Sequence, residues 1–541
     1  MGRILNPGNN SFRISLNGEI FVDKSMLIKE LNKKIYCPNR FLAVSRPRRF
    51  GKSMALQMLC AYYSKGCESR ELFKGLKIEN EPSFEKHLNK YNVIYITMTD
   101  YSDIPPKDFP EAIKEELIEN LEDYYPEFEF NRSATFERII DRIYQKSGIP
   151  FVFLIDEWDL FMRKSGIKEE EKTKYLDFLR RLLKDREYVA LCYMTGILPV
   201  KKYGEHSALN MFYEYSMECQ NELTEFTGFT EEEITALCLE YEIPVDHLKR
   251  WYNGYSMKKP VSIIPGTDRS YYDTIDIYSP CSVVKAIQNK RLTSYWTKTE
   301  TYEALKIPIN LGFDGLQETI ETLMSGEEVH FNINKFKNDF SGLASADEVL
   351  GMLVHLGYLS YDCETKKARI PNLEIFDEYV TSISGDSNWA PVMNAINQSE
   401  KLMKATLTGD EETVARIIHQ THIENTSIIK FNDENSLSCI VTLAYFTAIK
   451  DYLVKREFPT GKGFADIVFL PRPGCKVIPI VVELKSKQSA SIAIEQIKNK
   501  EYCDSLKNYS GEIILVGINY EGDYLNPEYK EHSCKIERII I

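Results

Sequence analysis

The stretch SRPRRFGKS, residues 45–53, closes an apolar run, FLAVS at 41–45, and opens a helical pattern, and its reading decides the fold. A phosphate loop needs backbone N–H groups that wrap the phosphates, a lysine that reaches the β and γ oxygens, and a hydroxyl for Mg2+. Gly51, Lys52 and Ser53 supply that end of the pattern. The first glycine of GxxxxGK[ST] is absent, because Arg46 stands there. The strict motif therefore fails, and its context has to decide.

That context runs through the first 225 residues. FVFLIDEWD at 151–159 is an apolar strand ending in Asp156-Glu157, the form in which an aspartate holds Mg2+ and a glutamate activates the attacking water. A later run, VALCYM at 189–194, leads into Thr195 of TGILP, a polar residue at a strand end that can contact the γ-phosphate or that water. With VIYITM at 93–98, these runs alternate with helical stretches such as 52–63 and 172–184. Strands separated by helices indicate parallel βαβ units and an α/β sheet covered on both faces. ATP is thus assigned to Arg46, Pro47, Arg48, Arg49, Phe50, Gly51, Lys52 and Ser53 with Asp156 and Thr195, Mg2+ to Ser53 and Asp156, and catalysis to Glu157. Arg180 and Arg181 read as a solvated helix face rather than an arginine finger.

At 541 residues the chain far exceeds the ~250–300 at which one core stops growing. The expected division is an ATPase domain at 1–225, a helical lid at 226–300, a mainly helical connecting region at 301–400 with a small hairpin near 358–370, and a last domain at 401–541. Aromatics at 12% exclude a disordered chain. No apolar run reaches the ~18–20 residues of a membrane helix, and no secretory or myristoylation signal opens the chain. The twelve cysteines form no CxxC pair, which fits unpaired thiols in a reducing compartment, and a cytoplasmic location is expected. The net charge of -13 argues against a whole-surface nucleic-acid binder, yet residues 40–53 carry five basic residues and no acid, so a local basic site is compatible with it.

The last 140 residues return to α/β texture, with a helix expected over about 434–453, then ADIVFL at 465–470, VIPIVVELK at 477–485, a helix near 490–505 and EIILVGI at 512–518. Alternation along 477–485 puts Glu483 and Lys485 on one face and Leu484 with Val482 on the other. A hairpin would bring Asp466 beside Glu483. Two carboxylates and a lysine suit phosphodiester hydrolysis, with Asp466 and Glu483 holding Mg2+ or Mn2+ and Lys485 orienting a water. His419 and His422, three apart, lack an acid or cysteine at ligand spacing and read as two exposed histidines.

The segments FVDKS at 21–25, RPRRFGKS at 46–53, LIDEWD at 154–159, TGILP at 195–199, GFT at 228–230, WYNGY at 251–255 and YSPCSV at 279–284 together resemble the bacterial AAA-ATPase-like family. Its members often carry a C-terminal domain of the PD-(D/E)XK nuclease superfamily. In that family arginine in place of the first loop glycine is usual, and tyrosine is commoner than Trp158. The order helix, GxxAD, strand, ExK and helix with glutamine at about 430–540 is similar to the PD-(D/E)XK core. That resemblance implies Glu434 as the acid of the first helix, Asp466, Glu483 and Lys485 as the metal and catalytic set, Gln496 as the glutamine of the following helix, and Tyr502 as a further match.

The combined expectation is a P-loop NTPase sheet with a helical lid, a helical middle region and a C-terminal mixed-sheet PD-(D/E)XK nuclease-like domain. Its function would be ATP hydrolysis coupled to metal-dependent cleavage of DNA or RNA, with ATP, nucleic acid and further copies of the chain as partners and no membrane. Two alternatives stay open: an ATP-driven switch whose nuclease-like domain serves only as a docking surface, and ATP binding with little turnover.

Overall fold

A computed structural model of the chain describes every residue except 1–2, 127–128, 165, 201–208, 219–221, 266–269, 297–302, 338–341, 425–440, 443, 461–462, 473–474, 487, 500–510, 523–529 and 541. The chain forms two compact units, residues 1–295 with 330–372 and residues 296–329 with 373–541. Among the described residues no helix is long and apolar enough to cross a membrane.

The first unit is built on β1 (Phe41–Ser45), β2 (Asn92–Thr97), β3 (Phe151–Asp156), β4 (Val189–Gly196) and β5 (Tyr213–Tyr215) in the order β2-β3-β4-β1-β5. All four pairings are parallel. The runs FLAVS and FVFLID are buried throughout because both faces of the sheet are covered. Phe41, Ala43, Phe151, Phe153 and Ile155 face one core, with Phe109, Ile139, Phe178 and Leu182 from the helices Phe109–Tyr124, Phe136–Ser147 and Glu169–Leu183. Leu42, Val44, Val152 and Leu154 face the other, against Leu56, Leu59 and Tyr63 of the loop helix, Lys52–Tyr63. Since every strand runs the same way, their C-terminal ends share one edge, where a parallel sheet binds ligands.

Downstream, β6 (Phe229–Thr230), β7 (Tyr255–Ile263) and β8 (Ser270–Tyr278) form an antiparallel sheet in the order β6-β8-β7. The sequence reading placed no long strand between 226 and 400, so this hairpin of two nine-residue strands is a correction. Its outer half, including Val261, Ile263, Tyr271 and Tyr272, is exposed on both strands, so the period-2 alternation that marks a half-buried strand is missing. After the two-residue β9 (Val329–His330), the hairpin expected near 358–370 is present as β10 (Ser360–Asp362) and β11 (Lys367–Arg369).

In the second unit β12 (Tyr452–Thr460), β13 (Gly463–Pro471), β14 (Ile480–Ser486), β15 (Glu512–Gly522) and β16 (Lys530–Ile540) pair in sequence order. The β14/β15 pair is parallel and the others are antiparallel. A parallel pair needs a crossover, and the crossover helix Ala490–Asn499 supplies it. One face of the sheet, with Val482, Leu484, Val516 and Ile518, packs on Leu402 of the helix Ala390–Thr408 and on Val414 and Ile418 of the helix Glu411–Glu424. The other, with Val481, Ile513 and Leu515, packs on Ile494 and Ile497 of the crossover helix. The helix expected over about 434–453 lies partly outside the described residues; its far end is corrected, because 446–450 form a 3-10 turn and β12 starts at Tyr452.

Candidate functional site

Gly51 takes φ +84 and caps the loop helix, a backbone conformation that glycine adopts without steric cost. Beyond it, the Lys52 ammonium donates to the loop's own carbonyls, Arg46 O at 2.9 Å and Pro47 O at 2.7 Å. Burial pushes the Lys52 pKa down to about 8, against the opposing pull of Asp156, Asp159 and Glu157. Arg46 is fully buried and donates to Ser45 O at 3.0 Å and Tyr215 O at 3.2 Å. Burial brings its pKa down to about 10. The arginine in place of glycine thus ties β1 to β5 from beneath the loop. Pro47 is buried, Arg48 is exposed, and Arg49, at φ +69, donates to Tyr295 O at 3.3 Å.

Across the same edge, Asp156 takes Ser53 Oγ on Oδ2 and Thr195 Oγ1 on Oδ1, each at 2.5 Å. The next residue, Glu157, sits at φ +54 and points elsewhere, accepting from Thr99 Oγ1 at 3.3 Å and Arg163 Nη2 at 3.2 Å. A hydroxyl, a carboxylate and a second hydroxyl around one point form a donor set suited to a hard cation, with Lys52 placed for phosphate oxygens.

In the second unit Ile467 pairs with Val482, so Asp466 and Glu483 follow at the end of the β13/β14 ladder. Asp466 Oδ2 accepts from Leu484 N at 2.7 Å. Glu483 is 1% exposed; its Oε1 accepts from Lys485 Nζ at 3.1 Å and from Gln496 Nε2 of the crossover helix. Four of the six residues assigned to catalysis, Asp466, Glu483, Lys485 and Gln496, are thereby drawn together; Glu157 belongs to the first unit, and Glu434, like Tyr502, lies outside the described residues. Among the described residues no group of three or more His, Cys, Asp or Glu could hold a metal ion. Asp466 and Glu483 are the two carboxylates available there for a hard cation.

Residues 8–204 match the family model described as predicted AAA-ATPase, and residues 432–530 match the PD-(D/E)XK nuclease superfamily. The chain joins an AAA-ATPase-like domain to a PD-(D/E)XK superfamily domain. It is 22% identical over 498 residues to an uncharacterized protein in the vnfD 5' region of Azotobacter chroococcum mcd 1, covering 89% of each chain. Among solved structures, C. elegans PCH-2 aligns at a TM-score of 0.17 and 14% identity over 38% of this chain and 39% of its own. The Aeropyrum pernix ORC2 protein aligns at 0.30 and 11% over 68% and 97%.

The AAA-ATPase-like domain also shows what its other motifs do. Phe50 is buried with its ring 5.4 Å from that of Tyr255 in WYNGY, edge to face, and Phe50 O accepts from Gly228 N of GFT at 2.9 Å. At Gly228, φ +94, a Cβ would lie 2.2 Å from Ile277 Cγ2; at Gly254, φ +114, one would lie 1.9 Å from Pro371 O. Gly228 thus lets its segment lie against Ile277 and Phe50, and Gly254 lets its backbone meet that of Pro371. Lys24 of FVDKS, its pKa lowered by burial, bonds Glu233 at 2.5 Å and Glu225 O at 2.7 Å.

Sequence reasoning missed Asp159 and Arg163, although Asp159 stands inside the quoted LIDEWD, because their partners are brought by a short helix and by the end of β4. In the PD-(D/E)XK domain it missed Gly517, which pairs with Glu483; a Cβ there would lie 2.3 Å from Ala490 O, so the glycine lets the crossover helix come close. The two histidines are also corrected. His422 is 2% exposed and His419 half-buried, and both meet His532 of β16, which the sequence reading did not single out. His532 Nδ1 lies 3.2 Å from His419 Nδ1 and its Nε2 2.9 Å from His422 Nδ1. Each neighbour uses a different ring nitrogen of His532, so the three form a hydrogen-bonded chain rather than a ligand set for one ion.

Proposed function

We propose that the protein binds and hydrolyses ATP at the edge formed by residues 46–53, Asp156, Glu157 and Thr195, and that its C-terminal domain cleaves phosphodiester bonds in nucleic acid. The observation that carries this reading is the convergence of Ser53 and Thr195 on Asp156 beside Lys52. Backbone N–H groups at Gly51 and the start of the loop helix face the phosphates, where the helix end favours an anion. Lys52 exchanges its two carbonyl acceptors for phosphate oxygens, and Glu157 accepts a proton from the attacking water. Ser53 and Asp156 would hold Mg2+, which would supply charge for the transferring phosphoryl group.

In the C-terminal domain Asp466 and Glu483 would hold a divalent cation, Mg2+ or Mn2+, and the chemistry such an ion would supply is acidification of a water and polarisation of a phosphoryl oxygen. Lys485 orients the water, and Gln496 fixes the Glu483 carboxylate. The test uses the full chain with Mg2+ or Mn2+, with and without ATP, on DNA and RNA in single- and double-stranded forms. Lys52→Ala should abolish ATP hydrolysis, and Asp466→Asn should abolish cleavage. An uncut set of substrates overturns the nuclease reading, and then a phenotype of Lys52→Ala that Asp466→Asn does not share would favour the ATP-driven switch.

A further inference from the structure

The helix Phe136–Ser147 carries Arg138, Arg142 and Lys146 four residues apart, about 6 Å from one to the next along its axis, so all three lie on one face. With residues of the segment 129–134 they line a cavity of about 210 Å3 that shares no residue with the ATP edge. One side of this cavity is apolar. Ile139 and Ile143, each one position on from an arginine, are buried in the core of the parallel sheet, and Phe130 is half-buried against the same core. Arg138 and Arg142 are exposed, and among the described residues neither is in an ion pair. The acids of their own helix are engaged elsewhere: Glu137 Oε1 accepts from Arg181 Nε at 3.3 Å, and Asp141 Oδ2 accepts from Gln145 Nε2 at 2.7 Å. Among the described residues Glu129 is the one acid of the lining, and it stands in no ion pair.

Arg138, Arg142 and Lys146 against Glu129 leave a surplus of two positive charges at this cavity, on a chain whose net charge is -13. Like charges four residues apart on a helix repel, so the row costs the empty protein stability that a bound anion recovers. We propose that the cavity binds a phosphate monoester whose organic part is a single apolar ring. Charge selects the class: a monoester carries about −1.5 to −2 at pH 7 and accepts guanidinium forks on its oxygens, whereas a carboxylate brings only one charge. Volume selects the ring. A cavity of about 150 Å3 holds benzene and a drug-sized ligand needs roughly 300 Å3 or more, so this one takes one ring and no second. The ring lies against Phe130, Ile139 and Ile143, while Arg138 and Arg142 reach the phosphate from successive turns. This site depends neither on ATP hydrolysis nor on nucleic-acid cleavage.

The test is calorimetric titration of the full chain with phenyl phosphate, in buffer with EDTA so that no divalent cation carries the probe to Asp466 and Glu483. Wild type should bind it saturably with a Kd below about 1 mM, and inorganic phosphate, benzoate and phenol each at least about fivefold more weakly. Arg138→Ala and Arg142→Ala should each weaken phenyl phosphate about tenfold, the loss of one charge-assisted contact, and the double variant should show no saturable binding. Arg138→Gln with Arg142→Gln keeps long side chains over the apolar side and should lose binding likewise, so the loss follows charge rather than packing. Arg132→Ala, outside the lining and paired with Glu122, should bind as wild type does. The proposal is overturned if wild type does not bind phenyl phosphate, or if inorganic phosphate or benzoate binds as tightly. It is also overturned if the double variants keep the wild-type Kd, which places the probe elsewhere, for example at residues 46–53, or if Arg132→Ala weakens binding as much as they do.

Discussion

Raising the pH from 7 to 9 should weaken nucleotide binding about tenfold, through Lys52 alone. In the nucleotide-free loop its ammonium is buried, with only two carbonyls as hydrogen-bond acceptors, and its pKa falls to about 8. A triphosphate needs the charged form. The apparent Kd therefore scales as one plus the neutral-to-charged ratio, about 1.1 at pH 7, about 2 at pH 8 and about 11 at pH 9. The change from pH 7 to 9 amounts to about 1.4 kcal/mol, and an ordinary lysine would give almost none over that range. Fluorescent-nucleotide titration gives the Kd at each pH, and calorimetry in two buffers of different ionisation enthalpy should show proton uptake on binding near pH 8.5. The folded pKa lies below the ordinary 10.5, so the unfolded chain holds more protons between about 8 and 10.5 and the nucleotide-free domain gains stability from this group as pH rises through that window. A Kd that stays flat from pH 7 to 9 would refute the reasoning.

Gly517→Ala should destabilise the C-terminal unit by about 1–3 kcal/mol, because the new methyl meets the backbone oxygen of Ala490 and the crossover helix has to move; denaturant unfolding with an unchanged midpoint would contradict the close packing. Phe50→Ala should cost about 3–5 kcal/mol and lower nucleotide affinity, since it removes a buried ring on which the loop rests against Tyr255. Tyr255→Phe, which loses the 2.6 Å bond to Gly357 O, should cost about 1 kcal/mol in the same unfolding assay. Asp466→Asn keeps an acceptor for Leu484 N, so its melting temperature should match wild type while cleavage is lost.

Much of this architecture was legible because it is encoded locally. FLAVS and FVFLID are continuous apolar runs, which a sheet covered on both faces demands, and both are buried end to end. The GKS triplet and the acids after FVFLI lie at strand ends, and parallel strands put such ends on one edge whatever the remaining details. Glu483 and Lys485 share a face by the period of the strand. The β7/β8 hairpin was not legible, because its outer half faces solvent on both strands and leaves only a short run of alternation at the inner ends. His532 could not be linked to His419 and His422, because more than a hundred residues separate them and only the packing of the helix Glu411–Glu424 on β16 joins them.

The sequence by itself determined the order of the two domains and which polar residues stand at the ends of their strands, since backbone period and strand direction place side chains over a few residues. Tertiary structure alone decided their state: Lys52 folded back onto its own loop, Arg46 buried beneath it, Glu157 held by Arg163, and Gln496 brought onto Glu483 by a helix that only Gly517 lets close. Each depends on burial and on partners distant along the chain. Those set charge, hydrogen-bonding state and orientation, which a residue's type and spacing do not contain.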